Sequence, residues 1–315
     1  MKTRNIITII SIIFALVSCS ADNDILNDIP AQNTEVSESE AVISCSIDNI
    51  QTRATVTVAD DAITNAVFFL LDGEDNVLGY RINNTKATFQ TKNQADLKVL
   101  VVANASQSLQ TAITACSTGK AIWGQTLGAD DLTSLVKIGE EKVGAFTENS
   151  INVEVEVKQI AARIDIASLT LNIKDADRVT LEQVELINQN TKGYMDGKYV
   201  DFVGTSTTAS IAKLFSDRVF TSGTAQTDIC TFYSFANENV NNKTTLKLSF
   251  KIDGKTVNTL VTIKDNDKKE RVVGAANHQL TITATIQGEN VTPIVTFTVA
   301  DWNKSQISAD MEESK

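Results

Sequence analysis

The sequence predicts an all-β protein built as two β-sandwich domains with a few short helices. Three observations carry this reading. Apolar and polar residues alternate with a period of two, as in Ile151, Val153, Val155 and Val157 against Asn152, Glu154 and Glu156, the signature of a strand with one buried face. Gly, Asn and Asp punctuate such runs at short intervals, and Asp253-Gly254 between Ile252 and Lys255 is a two-residue hairpin signal. The 315 residues give length for about two domains, and many short strands joined by turns read as sandwiches.

The elements follow in order. Lys2 and Arg4 precede an apolar run from Ile6 to Val17, which is too short for a bilayer core of about 30 Å and has the form of a signal peptide. Leu16-Val17-Ser18-Cys19 matches the bacterial lipobox, so residues 1–18 are expected to be removed and Cys19 to be acylated as a membrane anchor. From Ser20 to Arg53 seven acidic residues stand against one base. The first half of that stretch, with Pro30, reads as a disordered tether. In its second half Ile43, Cys45 and Ile47 alternate with Ser44, Ser46 and Asp48, so a strand from Val42 to Asp48 can lay one apolar face on a sandwich.

A first domain is expected over residues 54–160. Its strands are read at Ala54 to Val58, Val67 to Leu71, Val77 to Ile82, Leu97 to Ala103 and Ile151 to Val157. The acidic Asp72-Gly73-Glu74-Asp75-Asn76 lacks the spaced ligand pattern of a calcium loop and reads as a hairpin turn. Helices are expected at Ser106 to Cys116 and around Asp130 to Ile138, the latter with Leu132, Leu135 and Val136 on one face. The second domain is expected over residues 161–290 after a junction near Lys158 to Arg163. Its strands are read at Ile160 to Leu171, Val179 to Ile187, Lys198 to Val203, Ile229 to Phe235, Thr244 to Ile252, Lys255 to Ile263 and His278 to Ile286. A last strand, Ile294 to Ala300, opens a C-terminal segment at 291–315 in which Val295, Phe297 and Val299 alternate with Thr296, Thr298 and Ala300. Pro293 either hinges that strand or simply starts an edge strand.

Composition excludes several classes. Lys and Arg number 28 against 39 Asp and Glu, a net charge of -11 without a basic cluster, which argues against nucleic acid. With one histidine, His278, there is no multi-His metal site, and any triad would have to run through that single imidazole. No carboxylate pair sits in an acid/base motif and no Gly-rich phosphate loop occurs, so neither an enzyme nor a cofactor is expected. Cys45, Cys116 and Cys230 fit no metal or redox spacing and read as buried free thiols, with a Cys116 to Cys230 bridge as the alternative.

A series of local matches in order gives the chain a family resemblance. After the lipobox come Thr52-Arg53-Ala54, Val67 to Leu71 with its Asp/Gly turn, and Val99-Leu100-Val101-Val102-Ala103-Asn104-Ala105. Then follow Ile160-Ala161-Ala162-Arg163-Ile164-Asp165-Ile166, Phe232-Tyr233-Ser234-Phe235-Ala236-Asn237, Asn277-His278-Gln279-Leu280, and a last strand reaching Asp301-Trp302. Together they resemble the fimbrillins, the subunits of the protease-activated type V pili of Bacteroidales. In that family a Tyr often stands where this chain has His278. The resemblance implies tandem transthyretin-like sandwiches and an outer-membrane lipoprotein precursor that becomes an extracellular fimbrium. It also implies polymerisation after a trypsin-like, gingipain-type protease cuts behind an arginine.

Arg53, with Ala54 as the new terminus, is the expected site because it lies between a polar linker and the first strand; Arg81, Arg163 and Arg178 are candidates by residue type. The expectation is that Ile43, Cys45 and Ile47 fill a groove in their own first domain and that Val295, Phe297 and Val299 of another copy replace them. The expected partners are other copies, anchor and tip subunits, the protease and surface ligands that support adhesion and biofilm formation. The membrane is a partner only through the precursor's lipid. The alternatives are a minor tip, accessory or anchor subunit, and a surface glycan-binding lipoprotein. The last would want exposed aromatics, and only Trp123 and Trp302 occur as tryptophans.

Overall fold

A computed structural model describes residues 40–50, 62–146, 149–173, 176, 178–197, 208–237, 239, 241–262, 279–288, 297–301 and 305–309. The chain begins with β1 (Glu40–Ile50), β2 (Ala66–Leu71), β3 (Val77–Asn83), β4 (Lys86–Lys92) and β5 (Lys98–Ala103). Helices α1 (Gln107–Thr114) and α2 (Gly119–Trp123), the short strand β6 (Thr126–Leu127) and helix α3 (Ala129–Ser134) follow, and then β7 (Lys137–Lys142) and β8 (Ser150–Gln159). Seven of these strands form one sheet in the order β3-β2-β5-β7-β8-β1-β4.

β2 and β5 are buried on both faces, which is why they read as unbroken apolar runs. Phe68, Leu70, Val99 and Val101 share a core with Ile43 and Cys45 of β1, Phe89 of β4, and Val153, Val155 and Val157 of β8. The sheet therefore folds back over that core as a sandwich. The opposite face, with Val67, Phe69, Leu100 and Val102, is covered by Leu109 and Ile113 of α1, Ile122 of α2 and Leu132 of α3. α1 starts where Ser106 accepts the Leu109 N–H on its hydroxyl. The Asp72 to Asn76 stretch is the β2–β3 turn, its Asp72 carboxylate accepting the N–H groups of Glu74 and Asn76 at 2.9 and 2.8 Å.

The helix expected over Asp130 to Ile138 is shorter. Leu135 turns left-handed at φ 58°, its N–H donates to the Asp131 carbonyl, and the chain enters β7 at Lys137. The spacing of Leu132, Leu135 and Val136 fits one helical turn, but pairing of Lys137 and Ile138 with Ala103 and Val102 of β5 extends the chain there. β4, β7 and α2 were not anticipated as elements. The strand expected at Ala54 to Val58 lies outside the described residues.

The second half runs β9 (Ala162–Ile173), β10 (Val179–Asn190), β11 (Gly193–Tyr194), β12 (Thr208–Phe220) and β13 (Ala225–Ser234). After them come β14 (Thr245–Ile252), β15 (Lys255–Thr262), β16 (Gln279–Gly288), β17 (Phe297–Asp301) and β18 (Ser305–Ala309). Sheets β12-β10-β14-β15 and β13-β9-β16 close over Ile164, Leu171, Leu181, Phe232, Phe250 and Ile282. Asp253 and Gly254 take φ 46° and 87°, the positive values a two-residue hairpin between β14 and β15 requires. β12 is an unanticipated strand, and the one expected at Lys198 to Val203 lies outside the described residues.

Ile160 and Ala161 alone separate β8 from β9. β11 pairs with β6 across the two halves, Gly193 with Leu127 and Tyr194 with Thr126. Phe235 and Met195 of the second half complete the core under the helices together with Ile160. Cys45, Cys116 and Cys230 are all free. The Cys116 to Cys230 alternative fails because the two side chains pack on different cores, the helical one and that of the second sandwich.

Candidate functional site

β1, the strand that carries Ile43, Cys45 and Ile47, is an interior strand of the first sheet. It runs antiparallel to β4, from Glu40 opposite Lys92 to Ser46 opposite Lys86, and parallel to β8, from Val42 opposite Ser150 to Ile50 opposite Val157. Its alternation sets which side chains enter the core. Ala41 and Ile43 are fully buried and Cys45 nearly so, while Ile47 packs half-buried against the same cluster. Val42, Ser44 and Ser46 lie on the other face and are half-buried.

Each inward residue has a wall on either side. Ile43 stands between Phe89 of β4 and Ile151 of β8, and Cys45 between Ala87 and Val153. Ile47 faces Val155, and its N–H donates to the Thr85 carbonyl at 3.0 Å. At the other end the Val42 N–H donates to Asn149 O at 2.9 Å. Burial pushes the Cys45 thiol up to about 12, so at neutral pH it is a packed thiol rather than a nucleophile.

Among the described residues β1 is the one sheet neighbour of β4. β8 pairs in register with β7 through Lys137 with Gln159 and Ile138 with Lys158, and residues 150–157 pair with β1. β4 and β8 wall the β1 slot; residues 151–157 read as a strand from sequence, whereas β4 did not. Ala87 and Phe89 alternating with Lys86, Thr88 and Gln90 were the available signal for β4.

Cys19, Arg53 and Ala54 lie outside the described residues, as does Val295. Phe297 and Val299 fall in β17, which pairs antiparallel with β18, Phe297 opposite Ala309 and Val299 opposite Ile307. Among the described residues, β17 and β18 pair with each other and not with the strands that flank β1.

The described arginines are held in paired backbone. Arg81 lies in β3 with its guanidinium 5.6 Å from the Phe89 ring centre. Arg163 in β9 is buried and ion-paired with Asp165 at 2.9 Å, while Thr231 donates to the same carboxylate oxygen at 2.6 Å. Arg178 is pinned through its own backbone, its N–H on the Asp253 carboxylate and its carbonyl accepting the Asp253 N–H. Arg218 in β12 donates to Gln226 and to Thr227 O, each at 2.9 Å. Among the described residues no group of three or more His, Cys, Asp or Glu is placed to hold a metal, and no helix is long and apolar enough to cross a membrane.

No protein-family model and no curated protein matches the sequence. Solved structures do match. A candidate cell adhesion protein of Bacteroides eggerthii is 21% identical over 82% of this chain and 89% of its own, with a TM-score of 0.59. A second, from Parabacteroides distasonis, is 14% identical over 82% and 91%, with a TM-score of 0.59. A fimbrilin of Porphyromonas gingivalis is 14% identical over 80% and 92%, with a TM-score of 0.57. By fold the chain is fimbrillin-like, with the all-β architecture of these Bacteroidales adhesion and fimbrial proteins.

Proposed function

We propose that the chain is a structural subunit of a cell-surface fimbria, exported as a lipoprotein anchored at Cys19 and made able to polymerise when a trypsin-like protease cuts behind Arg53. The observation that carries this reading is β1, an interior strand whose covalent link to the rest of its sandwich is the segment that holds Arg53. A cut there makes β1 a separate piece and detaches the lipid with it. Loss of Ile43 and its neighbours would forfeit on the order of 1.5–3 kcal/mol per buried side chain and bare the edges of β4 and β8. A strand of another copy restores both terms, backbone hydrogen bonds for affinity and alternate side chains for register. Residues 291–315 supply it, with Val295, Phe297 and Val299 matching the spacing of Ile43, Cys45 and Ile47. Before the cut, the tethered β1 competes at an effective concentration of roughly millimolar and keeps subunits apart.

The fold shared with a fimbrilin and with adhesion proteins supports the fimbrial reading. The bound state of Arg81, Arg163, Arg178 and Arg218 supports Arg53 over them as the cut, since a protease needs an extended, accessible backbone. The polymer's partners are further copies, anchor and tip subunits, and ligands on the surfaces to which cells adhere.

The Arg53→Ala chain is expected to keep its prosegment on a denaturing gel and to form no filaments by electron microscopy. Normal filaments from it would overturn the site. Deletion of residues 291–315 is expected to leave processed monomers, and filaments from that chain would reject the donor assignment.

A further inference from the structure

Removing β1 leaves two unpaired strands, not one. β4 and residues 150–157 of β8 each have β1 as their sheet neighbour, so both would face each other across a gap one strand wide. The directions are compatible. β4 is antiparallel to β1 and β1 is parallel to β8, so β4 meets β8 antiparallel without turning over.

The faces are compatible as well. Cys45 is opposite both Ala87 and Val153, and Ile43 is opposite both Phe89 and Ile151. A sideways step of one strand spacing, about 4.8 Å, therefore brings Ala87 against Val153 and Phe89 against Ile151 with all four still facing the core. The two connections of β4 permit such a step: Asn83, Asn84 and Thr85 on one side and residues 93–96 on the other are exposed.

We propose that, once β1 has left, β4 crosses the vacated slot and pairs antiparallel with β8, so that the cut subunit seals its own groove and an incoming strand must displace β4 in order to dock. This rests on the excision of β1 proposed above. Closure pairs two bare edges that would otherwise template indiscriminate strand addition. It also makes assembly a competition between a tethered strand and an external one. A donor that holds both walls apart, with side chains in the Ile43 and Cys45 positions, wins it.

The register supplies the test. Ser44 is opposite both Thr88 and Asn152, so these two outward residues stand about 10 Å apart across β1 but adjacent after closure. Thr88→Cys with Asn152→Cys is introduced into the full chain together with Cys116→Ser and Cys230→Ser. A site for a sequence-specific protease replaces Arg53, so that excision does not depend on that residue being the natural cut. Gln90→Cys with Ser150→Cys, which flank Val42 in the same way, is a second pair in case the first folds poorly.

After cutting and separation of the prosegment, confirmed by mass, oxidation is expected to cross-link the cut monomer at least about tenfold more than the intact chain, in which the sulfurs are beyond disulfide reach. The cross-linked subunit is expected to assemble at least about tenfold more slowly than the same subunit after reduction, since a tethered closed strand excludes the donor. Equal cross-linking before and after the cut, or undiminished assembly of the cross-linked subunit, would overturn the proposal. Filaments without enhanced cross-linking would reject sealing and leave strand exchange standing. Cross-linking of a cut chain that never polymerises would support sealing and reject strand exchange.

Discussion

Gly139 shows how closely β7 and β8 approach. A Cβ at that position would overlap the Glu156 carbonyl oxygen, whereas one at Gly79 would meet nothing within 4 Å. Gly139→Ala is expected to cost about 1–3 kcal/mol by overpacking. Gly79→Ala should stay within about 0.5 kcal/mol of the parent. Thermal unfolding of the two variants side by side measures the difference. The cysteines carry a pH dependence. Burial raises Cys45 and Cys230 from 9.0 to about 12, with Lys213 and Arg218 partly opposing it at Cys230. Because the folded value lies above the unfolded one, this stabilisation is complete below pH 9 and is lost as the pH climbs toward 12. Urea midpoints are expected to fall above pH 9, and to fall less steeply in Cys45→Ala; an unchanged slope in that variant would exclude the thiol as a source.

At the scale of elements, the proposed excision of β1 would give the uncut and the cut chain different stabilities. Ile43→Ala empties a fully buried site and is expected to cost about 2–5 kcal/mol. Amide exchange should quicken in β4 and at residues 150–157 of the uncut chain. If β1 is excised as proposed, the same variant is expected to assemble like the parent after the cut, because the altered residue would leave with β1; slower assembly would mean that β1 acts beyond occupying the slot. β1 itself was legible as a strand from Ile43, Cys45 and Ile47, and its observed span, Glu40–Ile50, exceeds the expected Val42 to Asp48 by two residues at each end. Its neighbours were not legible, because a period of two says which face is buried and nothing about which strand lies alongside. β4 offers only Ala87 and Phe89 as apolar residues, too few to mark it as a strand. β7 was hidden by a spacing that suits a helix, and β12 by being largely exposed along its length. Where both faces are buried, as in β2 and β5, local sequence sufficed.

At the scale of the whole molecule, the two sandwiches are joined by more than their linker. Phe235 reaches from the second half into the core beneath α1, α2 and α3, and a Cβ at Gly193 would come within 2.9 Å of its ring. Phe235→Ala is expected to cost about 3–5 kcal/mol and to split calorimetric unfolding into two transitions, as each sandwich loses its support from the other. A single transition at lower temperature would place the coupling in the β6–β11 pair instead. The direction of β1 has a mechanical consequence. Residue 40 lies at the end of β8 remote from the second domain, while β8 leads directly into β9. A pull between the N-terminal end of β1 and the second domain therefore drags the two strands lengthwise past each other. Their hydrogen bonds share that load in shear instead of parting one at a time from an end.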